Sequence, residues 1–272
     1  MLEEASFMPT AIALTIAGSD SGGGAGIQAD LKAMSARGVY GASVITAVTA
    51  QNTTSVTAVH EIPANVVAAQ IDAVLSDLDV KAIKLGMLFS PAIIDVVADR
   101  LSGFSGAIVL DPVMIAKSGD ALLQEAAVDT LLRRLMPLAT LVTPNLPEAA
   151  QMLGTTQATD HETMVAQCKA LRDLGPGAVL LKGGHSTGAT CTDLLWSDAA
   201  PLPLEAARID TRNTHGTGCT YSATIAAELA KGAALTDAVT TAHAYLHQAI
   251  VASDTLSIGA GHGPVHHFHE VW

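Results

Sequence analysis

The sequence has little cysteine, few aromatic residues and little positive charge. Three cysteines (Cys168, Cys191, Cys219) occur among 272 residues. They are odd in number and form no CxxC pair, which excludes a disulfide framework and a zinc finger. Lys and Arg total 14 against 26 Asp and Glu, for a net charge of −12. A broad nucleic-acid or anionic-membrane surface needs basic patches, so neither partner is expected. No apolar run reaches the about 18–20 residues of a membrane span. The first residues, Met1-Leu2-Glu3-Glu4, are acidic where a secretory signal would be basic. A reduced, cytoplasmic protein is expected.

What is present is apolar aliphatic sequence. Hydrophobic residues make up 49% of the chain and charged residues 15%, too apolar a balance for disorder. Short Val- and Ile-rich runs predict strands at Ala11–Ala17, Ala42–Thr49, Val80–Leu85, Ala107–Leu110, Leu141–Thr143 and Val179–Lys182, with another in Ala189–Trp196. They lack strict period-two alternation, as strands covered on both faces do. Helices are expected between them, at Gln28–Arg37, Asn65–Leu78, Pro91–Leu101, Glu125–Leu135 and His161–Leu174. In the last, Met164, Cys168 and Leu171 form one apolar stripe, and Thr159-x-x-Glu162 reads as its capping box. Cys168 and Cys191 are expected to be packed thiols. The Thr- and Val-rich stretch Asn52–Ile62 suits extra strands at a sheet edge or a small lid. Repeated β-α-β units without a linker predict one domain over 1–272, an α/β doubly wound, mainly parallel sheet between helix layers.

Ligands of such sheets bind beyond the carboxyl ends of the strands. Nearly every expected strand ends there in glycine or a polar group: Gly18 to Gly26, Gln51-Asn52, Gly86-Met87, Asp111-Pro112-Val113-Met114, Thr143-Pro144-Asn145-Leu146-Pro147-Glu148, and Lys182-Gly183-Gly184-His185. Gly24-Ala25-Gly26-Ile27-Gln28-Ala29 fits the dinucleotide fingerprint G-x-G-x-x-G/A. However, no Asp or Glu lies between Leu31 and His60 to hold a ribose, which counts against a nicotinamide-dependent oxidoreductase. The absence of Gly-Lys-Ser/Thr excludes a Walker A loop. The loop then serves either as a tight turn or as backbone brought close to a small ligand.

A second glycine loop, Asn213-Thr214-His215-Gly216-Thr217-Gly218-Cys219, precedes a small-residue helix beginning near Tyr221. Amides at a helix N-terminus carry the positive end of its dipole, so Gly216, Thr217 and Gly218 form a candidate anion hole without charged side chains. Cys219 in the first turn can be nucleophile, general base or filler. The general base is preferred, since no partner for a nucleophile is evident, and the helix terminus is expected to favour its thiolate.

These segments, with Lys84-Leu85-Gly86-Met87-Leu88 and the tail Gly263-Pro264-Val265-His266-His267-Phe268-His269, resemble the hydroxymethylpyrimidine/phosphomethylpyrimidine kinases of thiamine biosynthesis, within the ribokinase-like superfamily. The resemblance spans nearly the whole chain. It implies ATP and Mg²⁺ as cofactors, a homodimer, and phosphorylation first of 4-amino-5-hydroxymethyl-2-methylpyrimidine and then of its monophosphate. It assigns Gln51, Gly18, Ala25, Met87 and Val113 to the pyrimidine pocket. It assigns Asp111, Asn145 and Glu148 to organising Mg²⁺ with ATP, Lys182 to the ATP phosphates, and Cys219 with Gly216–Gly218 to catalysis. Cysteine stands at 219 where the wider superfamily has aspartate, which favours the narrower family. Pyridoxal kinases share the scaffold and are the main alternative.

Other polar residues have plainer readings. His262, His266, His267 and His269 are expected in a solvated or packed tail, and His243 and His247 as surface or packing residues. Asp20 and Asp30 either touch substrate or act as helix caps or solvated charges. Lys117-Ser118-Gly119-Asp120 is a candidate flap.

Overall fold

The computed structural model describes residues 10–114, 125–185, 188–197 and 200–272. The chain runs β1 (Ile12–Asp20), α1 (Gly26–Ala36), β2 (Tyr40–Gln51), β3 (Val56–Glu61), α2 (Ala64–Leu75), β4 (Ala82–Leu85), α3 (Pro91–Leu101), β5 (Ala107–Leu110), α4 (Glu125–Arg134), β6 (Leu141–Val142), α5 (Leu146–Leu153), α6 (His161–Arg172), β7 (Val179–Leu181), β8 (Thr190–Trp196), β9 (Leu202–Ala207), α7 (Thr217–Ala230) and α8 (Leu235–Val251). Among the described residues the nine strands form one sheet in the order β3-β2-β1-β4-β5-β6-β7-β8-β9. From β2 to β7 the pairing is parallel, whereas β3, β8 and β9 pair antiparallel to their neighbours. The candidate flap at 117–120 lies outside the described residues.

Two buried clusters explain why the strand sequences do not alternate. Leu14, Ile16, Ile83, Leu85, Ile108 and Leu110 face the side packed by α2 to α6. Ala13, Ala82, Val109 and Leu180 face the opposite side, packed by α1, α7 and α8. Alternation is present, but it runs between two dry faces, so both sets are apolar. Small residues meet small residues on the second face: Ala13 and Ala82 lie in one cluster with Ala223, Ala226 and Ala227 of α7. That lets α7 approach the middle of the sheet.

Local differences from the sequence reading have physical causes. β1 continues through Gly18, Ser19 and Asp20, with a register shift between Ala17 and Ser19 that the sequence does not signal. The stretch after Gln51 supplies one edge strand, β3. β9 has a weak strand pattern because Pro203 falls within it, which an edge strand paired only with β8 tolerates. α5 was hidden in the Thr143–Glu148 motif. It is short and starts at a capping box of Asn145 and Glu148. The cap of α6 lies one residue later than expected: Asp160 accepts from the Thr163 amide, in place of the Thr159–Glu162 box. Met164, Cys168 and Leu171 form the expected buried stripe. Burial pushes the Cys168 thiol up to about 12.

Lys84 is the one charged residue in β4, and it is fully buried. Its ammonium bonds both oxygens of Asp30 on α1, at 2.9 and 2.8 Å, and Thr15 donates to the same carboxylate at 2.6 Å. Asp30 is therefore neither a helix cap nor solvated. Burial works against the ammonium, but Asp30 more than offsets it and holds Lys84 protonated above its usual range. Removing one member of such a pair strands the other charge at a cost of about 3–5 kcal/mol. Lys84→Met is expected to lower the unfolding free energy by about that much in chemical denaturation, with the K84M/D30L double variant recovering most of the loss. An equal loss in the double variant would show that packing, not charge, holds this layer.

Candidate active site

The chain leaves β1 toward β2 on one side and later returns to β4 on the other. This reversal opens a crevice at the carboxyl ends of β1 and β4. A cleft of about 420 Å³ lies there. Its lining includes Gly18 and Gln51 from the ends of β1 and β2, and Ala25, Met87 and Val113 from the loops after β1, β4 and β5. It also includes Asp111 and Lys182 beyond β5 and β7, Asn145 and Glu148 at the start of α5, and Gly216, Thr217, Gly218 and Cys219 at the start of α7. The tertiary structure thus gathers every candidate residue into one space.

At one end, Gln51 closes β2 after a bulge. Thr49 is hydrogen-bonded to the Gln51 carboxamide oxygen at 3.1 Å and to the Ser19 carbonyl at 2.9 Å. Thr46 donates to the Met87 carbonyl at 2.6 Å, fixing the loop after β4. These bonds restrict an amide with both donor and acceptor character.

At the other end, Gly216 is the N-cap of α7, with φ +78° and no side-chain cap. A Cβ there would lie 1.9 Å from the Gly24 carbonyl oxygen, so the two glycine loops touch through backbone. Thr217 N–H makes a long 3.4 Å bond to the Thr214 carbonyl. A Cβ on Gly218 would sit 3.3 Å from Lys182 Nζ and 3.5 Å from Asp111 Oδ2. Its absence leaves a cradle between the helix terminus and this ion pair, which closes at 2.8 Å. Ser222 and Thr143 also donate to Asp111, each at 3.3 Å. Burial raises the Asp111 carboxyl, but Lys182 and Lys84 outweigh it and hold it below the usual range. Asn145 and Glu148 cap α5 reciprocally, at 2.8 and 2.9 Å. Burial lifts the Glu148 carboxyl to about 7, with Lys182 opposing.

Cys219 corrects an expectation. The helix terminus does not make it a ready thiolate. Desolvation pushes the thiol up to about 11, with Lys84 and the Gly26 amide pulling the other way and Asp30 and Asp111 adding to the rise. A thiol raised that far stays protonated near neutral pH.

The two carboxylates Asp111 and Glu148 fit a hard divalent ion. Among the described residues no three His, Cys, Asp or Glu cluster to hold a metal. Mg²⁺ needs no such cluster, because it is held by one or two carboxylates and completes its shell with phosphate oxygens and water.

Several contributors were not identified as functional from the sequence. Lys84, Thr49, Ser19 and His215 line the cleft. A lone lysine inside an apolar strand is a usable signal, since such a charge must be paired. Asp20 organises the first glycine loop and is buried. The histidine tail is packed: His266 and His267 are buried, whereas His262 is exposed. His267 bonds Thr220, which in turn donates to the Gly216 carbonyl at 2.8 Å. Burial, with neighbouring Lys32, drives the His267 pKa down to about 3. His243 lies beside Tyr221 and His247 against the Ala207 carbonyl, both as packing residues.

The family model for phosphomethylpyrimidine kinase matches residues 20–266. A hydroxymethylpyrimidine/phosphomethylpyrimidine kinase from Rhizobium meliloti (strain 1021) is 60% identical over 97% of this chain and 99% of its own length. Among solved structures, the ADP complex of Bacillus subtilis pyridoxal kinase superposes with a TM-score of 0.88 at 36% identity, over 95% of this chain and 98% of that one. Phosphomethylpyrimidine kinase from Clostridium difficile 630 superposes at 0.78 with 42% identity, over 88% of this chain and 99% of that one. The sheet and its helix layers have the ribokinase-like fold of these kinases. On sequence, fold and the arrangement of the cleft, the chain belongs to the phosphomethylpyrimidine kinase family.

Proposed function

We propose that this protein transfers phosphate from ATP to the hydroxymethyl group of 4-amino-5-hydroxymethyl-2-methylpyrimidine and then to the resulting monophosphate, in thiamine diphosphate biosynthesis. The observation that carries the reading is one cleft lined by the Gln51 amide at one end and by the α7 terminus with Lys182 and Asp111 at the other. The names of close relatives support the substrate, and the ADP complex of the pyridoxal kinase supports the nucleotide. One continuous sheet supports the single-domain reading. No helix among the described residues is long and apolar enough to cross a membrane, which is consistent with a cytoplasmic enzyme.

In this reading Gln51 pairs with the aminopyrimidine edge, while Gly18, Ala25, Met87 and Val113 enclose the ring. Gly216–Gly218 amides and Lys182 hold the terminal phosphate. The acceptor oxygen bonds to the terminal phosphorus, the bond from that phosphorus to the bridging oxygen breaks, and ADP leaves with the electron pair. Cys219 takes the acceptor's proton late, in a loose transition state that asks little of a base. Asp111 and Glu148, with Asn145 beside them, would hold Mg²⁺, which neutralises phosphate charge when bound. In the second step the nucleophile is a phosphate oxygen, already ionised near neutral pH (second pKa about 6), and needs no base. The same scaffold favours a second reading, acceptance of pyridoxal, because the fold matches a pyridoxal kinase closely. Mass analysis of products from each alcohol with Mg·ATP decides between them: two added phosphates on the pyrimidine support the proposal, and none overturns it.

Cys219→Ala is expected to slow the first phosphorylation by about 10²–10⁴-fold and the second far less, read as separate single-turnover rates. With Mg·ATP saturating, the wild-type first step should accelerate about tenfold per pH unit between about pH 7 and 9, because the thiolate fraction grows until the thiol's pKa near 11. A flat profile would remove Cys219 as the base. Glu148 loses its charge as pH falls through about 7, so Mg²⁺ binding measured by calorimetry should weaken from pH 8 to pH 6. Glu148→Gln should flatten that dependence. We also propose a homodimer. The open β3 edge, beside the exposed Val48, is the surface it would use. Sedimentation at twice the chain mass is expected, and a monomer would refute it.

A further inference from the structure

The two glycine loops lie about 190 residues apart in sequence, yet one buried contact joins them. Asp20 Oδ1 accepts from Gly22 N–H at 2.8 Å, and Oδ2 from Gly24 and Ala25 N–H at 3.1 and 2.9 Å. The fourth partner is His215 Nε2, at 2.9 Å from Oδ2. An ionised carboxylate only accepts, so Nε2 carries the proton here. Burial pushes the Asp20 carboxyl up, but His215 and the loop amides outweigh it and leave it below its usual range. His215 is itself fixed: its N–H donates to the Gly263 carbonyl at 3.0 Å, and its carbonyl accepts from Val265. Its backbone leads directly into Gly216, which rests on the Gly24 carbonyl.

We propose that Asp20 and His215 are a pair of positioning residues that set the distance between the acceptor alcohol and the transferring phosphate. The inference rests on the kinase reading above. The Asp20 loop presents Gly18 and Ala25 to one reactant, and the residue after His215 begins the phosphate loop for the other. Neither side chain has to touch a reacting atom. The reactants must come within about 3–3.5 Å in line, and a displacement near 1 Å costs about 10²-fold in rate. Replacing His215 cuts the staple and leaves the three amide bonds that Asp20 accepts within the first loop in place. Affinity for each substrate should therefore survive while turnover falls.

The test measures kcat and both KM values for wild type, D20N, H215L, H215Q and D20N/H215L, with melting temperatures alongside. The kinase reading stands or falls on wild-type turnover, independently of the variants. H215L should lose about 30–100-fold in kcat with each KM changed less than about threefold. H215Q restores an N–H donor near the Nε2 position and should recover most of that loss. The double variant should be no slower than the worse single variant, as expected for two ends of one contact. H215A, added to the set, carries the same comparison if H215L does not fold, because it too leaves the Asp20 loop bonds intact. Raised KM values with unchanged kcat, multiplying losses in the double variant, or no recovery in H215Q would overturn the proposal.

Discussion

In this kinase-family chain of net charge −12, the shape of the cleft depends on the α7 terminus reaching the edge of the sheet. The surface as a whole repels a polyanion, so attraction has to come from a few aimed donors in a sheltered place. Alanine packing supplies that place, because Ala223, Ala226 and Ala227 let the helix lie close against Ala13 and Ala82. Larger side chains on either face would lift the helix and carry its amides away from Lys182 and Asp111.

The same geometry sets the electrostatics beneath the cleft. Two buried lysines face three carboxylates: Lys84 pairs with Asp30, and Lys182 with Asp111 and the neighbouring Glu148. Burial alone would neutralise each of these groups, and pairing keeps most of them charged. Asp30 and Glu148 are the exceptions: burial outweighs the neighbouring lysine and raises both carboxyls, Glu148 to about 7. Cys219 sits among these charges, and the desolvation that strengthens nearby fields also keeps its proton on. In the proposed mechanism a weak base suffices, because positioning and charge do most of the work of a loose phosphoryl transfer.

Rigidity in the cleft comes from parts remote in sequence. The tail from Gly259 to His267 bonds the turn after Gln51 through Thr53 and braces the loop before α7 through His215 and Thr220. It thereby ties the two ends of the cleft to one strap. Its histidines are explained by this bracing: His267 is buried and neutral, with its ring on the hydroxyl that holds the Gly216 carbonyl.

The sequence by itself determined the layered α/β class, most strands and helices, and the sheet edge at which the cleft lies, because chain-local signals suffice for these: apolar runs, helical periodicity, and glycines or polar groups after each strand. It also carried the family resemblance, since the motif residues stand at ordered intervals. Only the tertiary structure decided the state of Cys219, the buried Lys84–Asp30 pair, the Asp20–His215 staple and the place of β9. Each depends on desolvation or on contacts between residues far apart in the chain. Neither composition nor periodicity records what a side chain will meet once the sheet has closed around it.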